Sequence, residues 1–482
     1  MLKLHKQIIQ ILVALFYLSG NLVPIKGQEL AIKNSNIIDV ETGQLSDNMD
    51  MFISHGKIEW IRPNDSTNRF PAGATVIDGT GKYLVPGFIE AHNHFAVGTV
   101  GFDMSDGAPK LVMNIVDGVP EYSLRTMLAN GITTARDPGG KTEVTTSVKK
   151  KVQDGTLIGP EAFVAGSIID TTSFENLVTT VQTEADIRQE VRKQHEAGVD
   201  YIKLYTSLSP DQLEAGIDEA HKLGLKTIAH LENTSWTEAS RRGLDDVVHI
   251  IPGNEELLPR EYREEFTKSI LLGTQWFYKW FEYVDLDGPE IEEMIRVMKE
   301  NSVSVDPTLV LFHSVFFADE GIYQNNPALQ YVPESMVENW KTFNFNIGWS
   351  EEDFERAHAA WSKVEQFTKL LHDSGIMLTA GTDANNPWVP AGESFHRELK
   401  LLANSGISNE DVLKIATING AKLLDIENRT GSVEEGKEAD LVLLGKNPLD
   451  DISNTRSVEF IILDGKITKP DEVSEQIRTR GE

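Results

Sequence analysis

Cysteine is absent from the 482 residues. That excludes disulfides, thiolate catalysis and cysteine-ligated zinc, so any metal must be held by histidine, carboxylate or something less usual. It also excludes a lipoprotein anchor, which needs a cysteine to acylate. Basic charge is scarce: 45 Lys and Arg stand against 74 Asp and Glu, a formal charge of −29. Phosphate backbones and anionic membrane surfaces would be repelled, which argues against a nucleic-acid partner. Past residue 27 there is no apolar run long enough to be a transmembrane helix. The run before it, Ile8 to Leu18, follows Lys3 and Lys6 and is too short to span a bilayer comfortably. It reads as the core of a signal peptide over residues 1–27, with cleavage near Gly27. The expected location is therefore secreted or periplasmic, without stable membrane insertion after removal; an uncleaved anchor is the alternative. The remaining composition is ordinary, 40% hydrophobic and 25% charged, and the length suits one large domain with a smaller one beside it.

Short alternating segments with Gly, Asn and Asp turns open the chain, in "LAIKNSNIID", "MDMFISHGKIEWI" and "ATVIDGTGKYLV". The same texture returns in "ADLVLLG" and "VEFIILDGKI". Between them, apolar strand-like runs alternate with helical periods. The runs are "LVPGFIEA", "GITTAR", "EAFVAGSII", "DYIKLYT", "KTIAHLE", "DVVHII", "SVDPTLVL" and "IMLTAGTD". Eight such runs predict an α/β fold: a (β/α)8 TIM barrel over residues 86–425. A small β-sandwich domain is expected from both chain ends, residues 28–85 and 426–470. Two insertions rich in Trp, Phe and Tyr, near 252–289 and 312–350, are expected either to cover the C-terminal face of the barrel or to serve packing or oligomer contacts.

The stretch "PGFIEAHNHF" puts His92 and His94 on one face of a strand end, since residues i and i+2 face the same side. Alone, the pair reads as two polar residues satisfied by water. It does not stand alone. Lys203 lies in the fourth run, His230 ends the fifth, His249 the sixth and Asp383 the eighth. All sit at or near C-terminal strand ends, the face where barrels place their chemistry. Each has a dull explanation by itself; together on one face they point to a metal site.

These segments, with "GITTARDPGG", "EAHKLGLKTIAH", "FHRELKLL" and "GSVEEGKEADLVLL", resemble the amidohydrolase superfamily, in particular its imidazolonepropionase-like and prolidase-like dipeptidase branch. The resemblance spans about residues 30–467. It implies two divalent metal ions, usually Zn2+: one on His92 and His94, a second on His230 and His249. Lys203 would be carboxylated and bridge the ions, and Asp383 would be both a ligand and the proton shuttle. Glu90 stands where the family commonly has Asp, at a position that is not a ligand. Elementary chemistry agrees. Imidazole and carboxylate suit zinc, and a cationic Lys203 would repel metals whereas its carbamate would attract them. The alternative for Lys203 is a salt-bridged barrel lysine.

Weaker candidates surround this set. Tyr205, two past Lys203, and His396, opening a helix after the eighth run, are candidate substrate contacts; packing and capping are their plain alternatives. Arg136 reads as an anion contact or a structural ion pair. His221 reads as structural, and His313 follows the seventh run. The expectation is a metal-dependent hydrolase cleaving an amide of a small-molecule substrate, such as a dipeptide or N-acyl amino acid, by metal-activated hydroxide. A cyclic amide, lactone or ester hydrolase is the alternative, and a non-catalytic barrel the rival from another class. A homo-oligomer is left open. Protein recovered from the native host should begin near Gln28; N-terminal sequencing that finds Met1 or Leu2 intact in the soluble fraction contradicts the signal-peptide reading.

Overall fold

The computed structural model describes residues 29–105, 110–270 and 273–478, so the signal-peptide segment 1–27 lies outside the described residues. Short parallel strands dominate the middle of the chain. Phe88–Glu90, Ile132–Asp137 and Glu161–Val164 pair side by side, and Tyr201–Leu204, Lys226–Ala229, Asp246–Val248 and Ser304–Asp306 continue in order. A bridge from Ala165 to Tyr201 joins the two groups. The eighth segment carries little regular strand, yet it closes the ring. Val305 pairs with Leu378, and Ala91 N donates to Ala380 O at 2.8 Å. This is the eight-stranded barrel that the apolar runs predict. The strands are buried almost throughout, as expected where parallel strands are covered on both faces.

The surrounding helices follow local signals. Glu184–Ala197 starts with a capping box between Thr183 and Asp186 and stops at Gly198, whose φ of 86° is the left-handed conformation glycine adopts most cheaply. Pro210–Lys222 starts with a second box, Ser209 with Gln212, and buries Leu213, Ile217 and Ala220 along one face. Glycine is required at one barrel position for another reason. A Cβ on Gly381 would collide with the Asp306 carboxylate and lie 2.5 Å from the Cβ of His92, so a larger residue would push the eighth segment off the first.

A second sheet of eight strands is built from both ends of the chain. Leu30–Ile38 pairs with Leu45–Ser54 along one side and with Thr75–Asp78 and Tyr83–Pro86 along the other. Leu441–Leu444 then pairs with Tyr83–Pro86, which is the seam between the N- and C-terminal segments. The sheet has its own apolar core, with Leu30, Ile32, Ile53, Leu84, Leu441 and Ile462 among its members. Among the described residues no helix is long and apolar enough to cross a membrane.

Beneath the barrel mouth lies a buried ion pair. Arg136 donates to Asp246 at 2.6 Å and to the carbonyl of Ala91 at 2.5 Å, and all but 1% of each charged side chain is buried. Ser304 Oγ donates to the other Asp246 oxygen at 2.6 Å. Of the two sequence readings of Arg136, the structure selects the ion pair. Removing one partner of such a pair leaves an uncompensated buried charge. Arg136→Met is expected to cost about 3–5 kcal/mol, read as a lower urea midpoint for unfolding; an unchanged midpoint contradicts the pair's structural role.

Candidate active site

Six polar side chains meet on the floor of one cavity at the C-terminal ends of the barrel strands: His92, His94, Lys203, His230, His249 and Asp383. The strand ladder puts them there. Beyond the last regular strand residues, His230 N donates to Leu204 O at 3.2 Å, His249 N to Asp306 O at 2.7 Å and Asp383 N to His92 O at 2.8 Å. Every ligand candidate is thus tied to its neighbouring strand by backbone.

Asp383 is the centre of the group. Its Oδ1 lies 3.4 Å from His92 Nε2 and 3.2 Å from His94 Nε2, and its Oδ2 lies 3.8 Å from His249 Nε2. His92, His94 and Asp383 offer donor atoms all within 4.8 Å of one another, a spacing that fits a metal ion. His230 and His249 stand ring to ring, with centroids 4.4 Å apart and planes at 73°. Asp383 and His249 are left-handed at φ 55° and 74°, as is Thr308 at 47°. Non-glycine residues held there store backbone strain of about 1–3 kcal/mol each, and such strain concentrates at functional sites.

Orienting groups fix the rings from behind. His94 Nδ1 lies 2.8 Å from the carbonyl of Gly139, which can only accept, so that nitrogen carries the proton and Nε2 faces Asp383. The Gly139 loop is shaped by Asp137, whose carboxylate accepts from the amides of Ala96 and Gly139 at 3.0 Å each. Nδ1 of His249 lies 2.9 Å from Thr308 Oγ1. Sequence reasoning misses Asp137 and Thr308: both are short polar residues at strand ends, and only the closed barrel brings them to the histidines.

The electrostatics suit a cation. Burial holds His92 and His230 down at about 3 and keeps His249 well below the usual imidazole range, so these rings are neutral donors. For His94 burial is outweighed by Asp137 and Asp383, which push it up to about 10. Burial also opposes ionisation of Asp383, but the imidazoles around it hold it well below the usual carboxylate range. The point between His94 and Asp383 therefore calls for positive charge, and a divalent ion there would replace a proton. Burial brings Lys203 down to about 7 against the pull of Asp383. Its Nζ is buried without a hydrogen-bond partner among the described residues, so the salt-bridged alternative is not what the structure shows. An orphaned amine amid imidazoles and a carboxylate fits the donor set of a metal centre.

Tyr205 lines the cavity, its ring edge-on to His230 at 5.1 Å. His396 does not, and its assignment as a substrate contact is corrected here. Its ring is buried against Phe88 and Phe395, and its Nδ1 lies 2.9 Å from Thr455 Oγ1. His221 pairs with Asp245 at 2.8 Å, away from the cavity, and His313 stacks on Phe317 at 4.2 Å. Glu90 is fully buried and accepts from the amide of Thr382 at 2.8 Å. Both aromatic insertions reach the cavity, through Trp276 and Phe277 from the first and Phe312, Trp340, Phe343 and Phe345 from the second. A hairpin that sequence reasoning misses, Thr99–Asp103 with Lys110–Asn114, supplies Val100, Leu111 and Met113. The cavity measures about 240 Å³.

The sequence profile of the amidohydrolase family matches residues 83–468. An adenine deaminase of Mesorhizobium japonicum is 35% identical, but over 75 residues that make 16% of this chain and 12% of that protein, so the chain spans only a small part of it. The ochratoxinase of Aspergillus niger is 21% identical across 94% of this chain and 86% of its own. A Xaa-Pro dipeptidase solved with methionine bound in its active site superimposes with a TM-score of 0.65 at 21% identity, covering 92% of this chain and all of that one. At that identity the likeness concerns the fold.

The orienting contact on His249 gives a direct test. Thr308→Val keeps the shape and removes the oxygen beside Nδ1. Divalent-metal affinity should fall about 10- to 100-fold, measured by competition with a chromophoric chelator; unchanged affinity removes Thr308 from the site.

Proposed function

The chain belongs to the amidohydrolase family, and from that premise we propose that it is an exported, metal-dependent hydrolase acting on carbon–nitrogen bonds, cleaving the amide bond of a small substrate. The observation that carries this reading is the convergence of His92, His94, His230, His249, Lys203 and Asp383 on the floor of one cavity. In this reading His92, His94 and Asp383 would hold one ion, His230 and His249 would hold a second, and Lys203, as a carbamate, would supply a ligand to both. An amine with its pKa near 7 is substantially unprotonated at neutral pH, which is the form that adds to CO2. Divalent ions such as zinc, when bound, supply Lewis acidity toward a carbonyl oxygen and lower the pKa of water.

The chain's own residues perform the rest. Asp383 ends the eighth barrel segment with its carboxylate in the cavity and its charge stabilised by neighbouring imidazoles. It takes the proton of the attacking water and returns it to the leaving nitrogen, so that the C–N bond breaks with a neutral amine departing. The strand ladder holds the histidines in place through this exchange. The aromatic insertions keep bulk water from the reacting carbonyl, which strengthens every charge interaction on the floor. Export by way of residues 1–27 belongs to the same proposal, supported by the basic start and short apolar core of that segment.

Screening the zinc-loaded protein against amides, dipeptides, N-acyl amino acids, lactones and esters tests the reaction class. No turnover of any amide, with two zinc ions bound, removes it. Lys203→Ala should lose at least one of the two ions and most of the activity, with short carboxylates partly restoring it. Undiminished dinuclear metal content in that variant ends the bridging role. Asp383→Asn should retain much of its metal yet lose kcat by about 100- to 10,000-fold; normal turnover at normal metal content refutes the shuttle.

A further inference from the structure

Two apolar clusters rise from the floor of the cavity. Val97, Met113, Ile168 and Leu177 form one, with Val100 and Phe174 packed against them. Trp276, Phe277, Phe312 and Phe345 form the other, joined by ring contacts of 4.6, 5.5 and 6.5 Å. The apolar surface continues outward. Leu111 in the lining is 36% exposed, and Phe102, packed against the lining Phe343, is 58% exposed.

What the lining lacks matters as much. Among the described residues it contains no arginine, and its single lysine is Lys203 on the floor, among the histidines. Its neutral polar groups are Tyr205, the indoles of Trp276 and Trp340, and Asn339, Asn385 and Asn386, and each of these three amides already donates to the protein. Asn339 donates to Val100 O at 2.8 Å and Asn386 to Asp383 O at 2.9 Å. Asn385 donates to His94 O at 3.1 Å and to Ser123 Oγ at 2.8 Å. A backbone carbonyl only accepts, so the His94 contact fixes which end of the Asn385 amide is nitrogen. That leaves Asn385 Oδ1 buried without a partner among the described residues.

We propose that the substrate is an uncharged amide with apolar groups on both its acyl and its amine side, and that the cavity discriminates against amides carrying a free carboxylate. The inference rests on the amide-hydrolase reading above and replaces the dipeptide or N-acyl amino acid expected from sequence. A carboxylate drawn into this lining would shed water and, above Lys203 and the histidines of the floor, meet no cationic side chain among the described residues. Burying an anion without a partner is strongly unfavourable. An uncharged amide instead covers both clusters without placing a charge against them.

N-benzoyl-2-phenylethylamine and N-benzoyl-L-phenylalanine share their rings and scissile bond and differ by one carboxylate. With the zinc-loaded full chain, kcat/KM for the uncharged compound should exceed that for the acid by about 100-fold or more. At equal concentration only the uncharged compound should raise the melting temperature. Equal or better use of the acid, as when its carboxylate finds a partner on the bound metals, overturns the inference and leaves amide hydrolysis standing. If neither compound is cleaved, and acetyl and octanoyl analogues are not cleaved either, the hydrolase reading falls and this inference with it.

Discussion

Two hydrogen bonds run from the end of the eighth barrel segment to the carbonyl of His92, from Thr382 N at 3.1 Å and Asp383 N at 2.8 Å. They close the barrel, and they also set the distance between a histidine and the carboxylate it shares a site with. Closure and site geometry are therefore one constraint. The eighth segment has little regular strand, because past Leu378 its backbone must leave the pleat to reach His92 and turn left-handed at Asp383. Gly381 makes the approach sterically feasible. The Glu90 carboxylate accepts from both the amide and the hydroxyl of Thr382, at 2.8 and 3.3 Å, and so fastens the same turn from inside.

Below this turn the barrel buries more acid than base. Burial pushes Glu90 and Asp306 well above the carboxylate range, aided by the charge of Asp306 at Glu90 and by those of Asp246 and Asp383 at Asp306, as burial does for Glu398. Two devices limit the cost. Arg136 neutralises Asp246 directly and lies 3.8 Å from Asp306. Glu398 accepts from the amides of Leu309 and Val310 at 3.0 and 2.6 Å, where the start of a helix offers unpaired N–H groups. Asp383, at the mouth, keeps its charge while the acids beneath it are pushed toward the neutral form. The difference comes from its imidazole neighbours rather than from exposure, since Asp383 is itself buried.

The eight barrel segments are legible in the sequence because parallel strands covered on both faces read as short continuous apolar runs. The ligand candidates are legible because each stands at or near the end of such a run, so the period itself places them on one rim. The orienting groups are not. Thr308 meets His249 across 59 positions of sequence, and nothing local marks that threonine out from any other beside a proline. The direction of His396 was equally hidden. The helix that carries it is clear, but which face turns to the cavity depends on Phe88 and Thr455, one of them more than three hundred residues earlier. The insertions announce themselves by their aromatic content, yet their shape does not follow from it. The hairpin from Thr99 is too short and too interrupted by glycine to stand out from a loop.

Apolar walls over a charged floor have a physical consequence beyond fit. Coulombic interactions grow as the surrounding dielectric falls, and Trp276, Phe312 and Trp340 line the cavity above Asp383 and its imidazoles with weakly polarisable surface. The same surface that would repel a carboxylate on a ligand thus strengthens the field at the point where a carbonyl oxygen would develop charge. The barrel provides rigid backbone below and the insertions provide low polarity above. Neither suffices alone, because an open rim would let water compete for the histidines, and an apolar pocket without the strand ladder would leave those rings free to turn away.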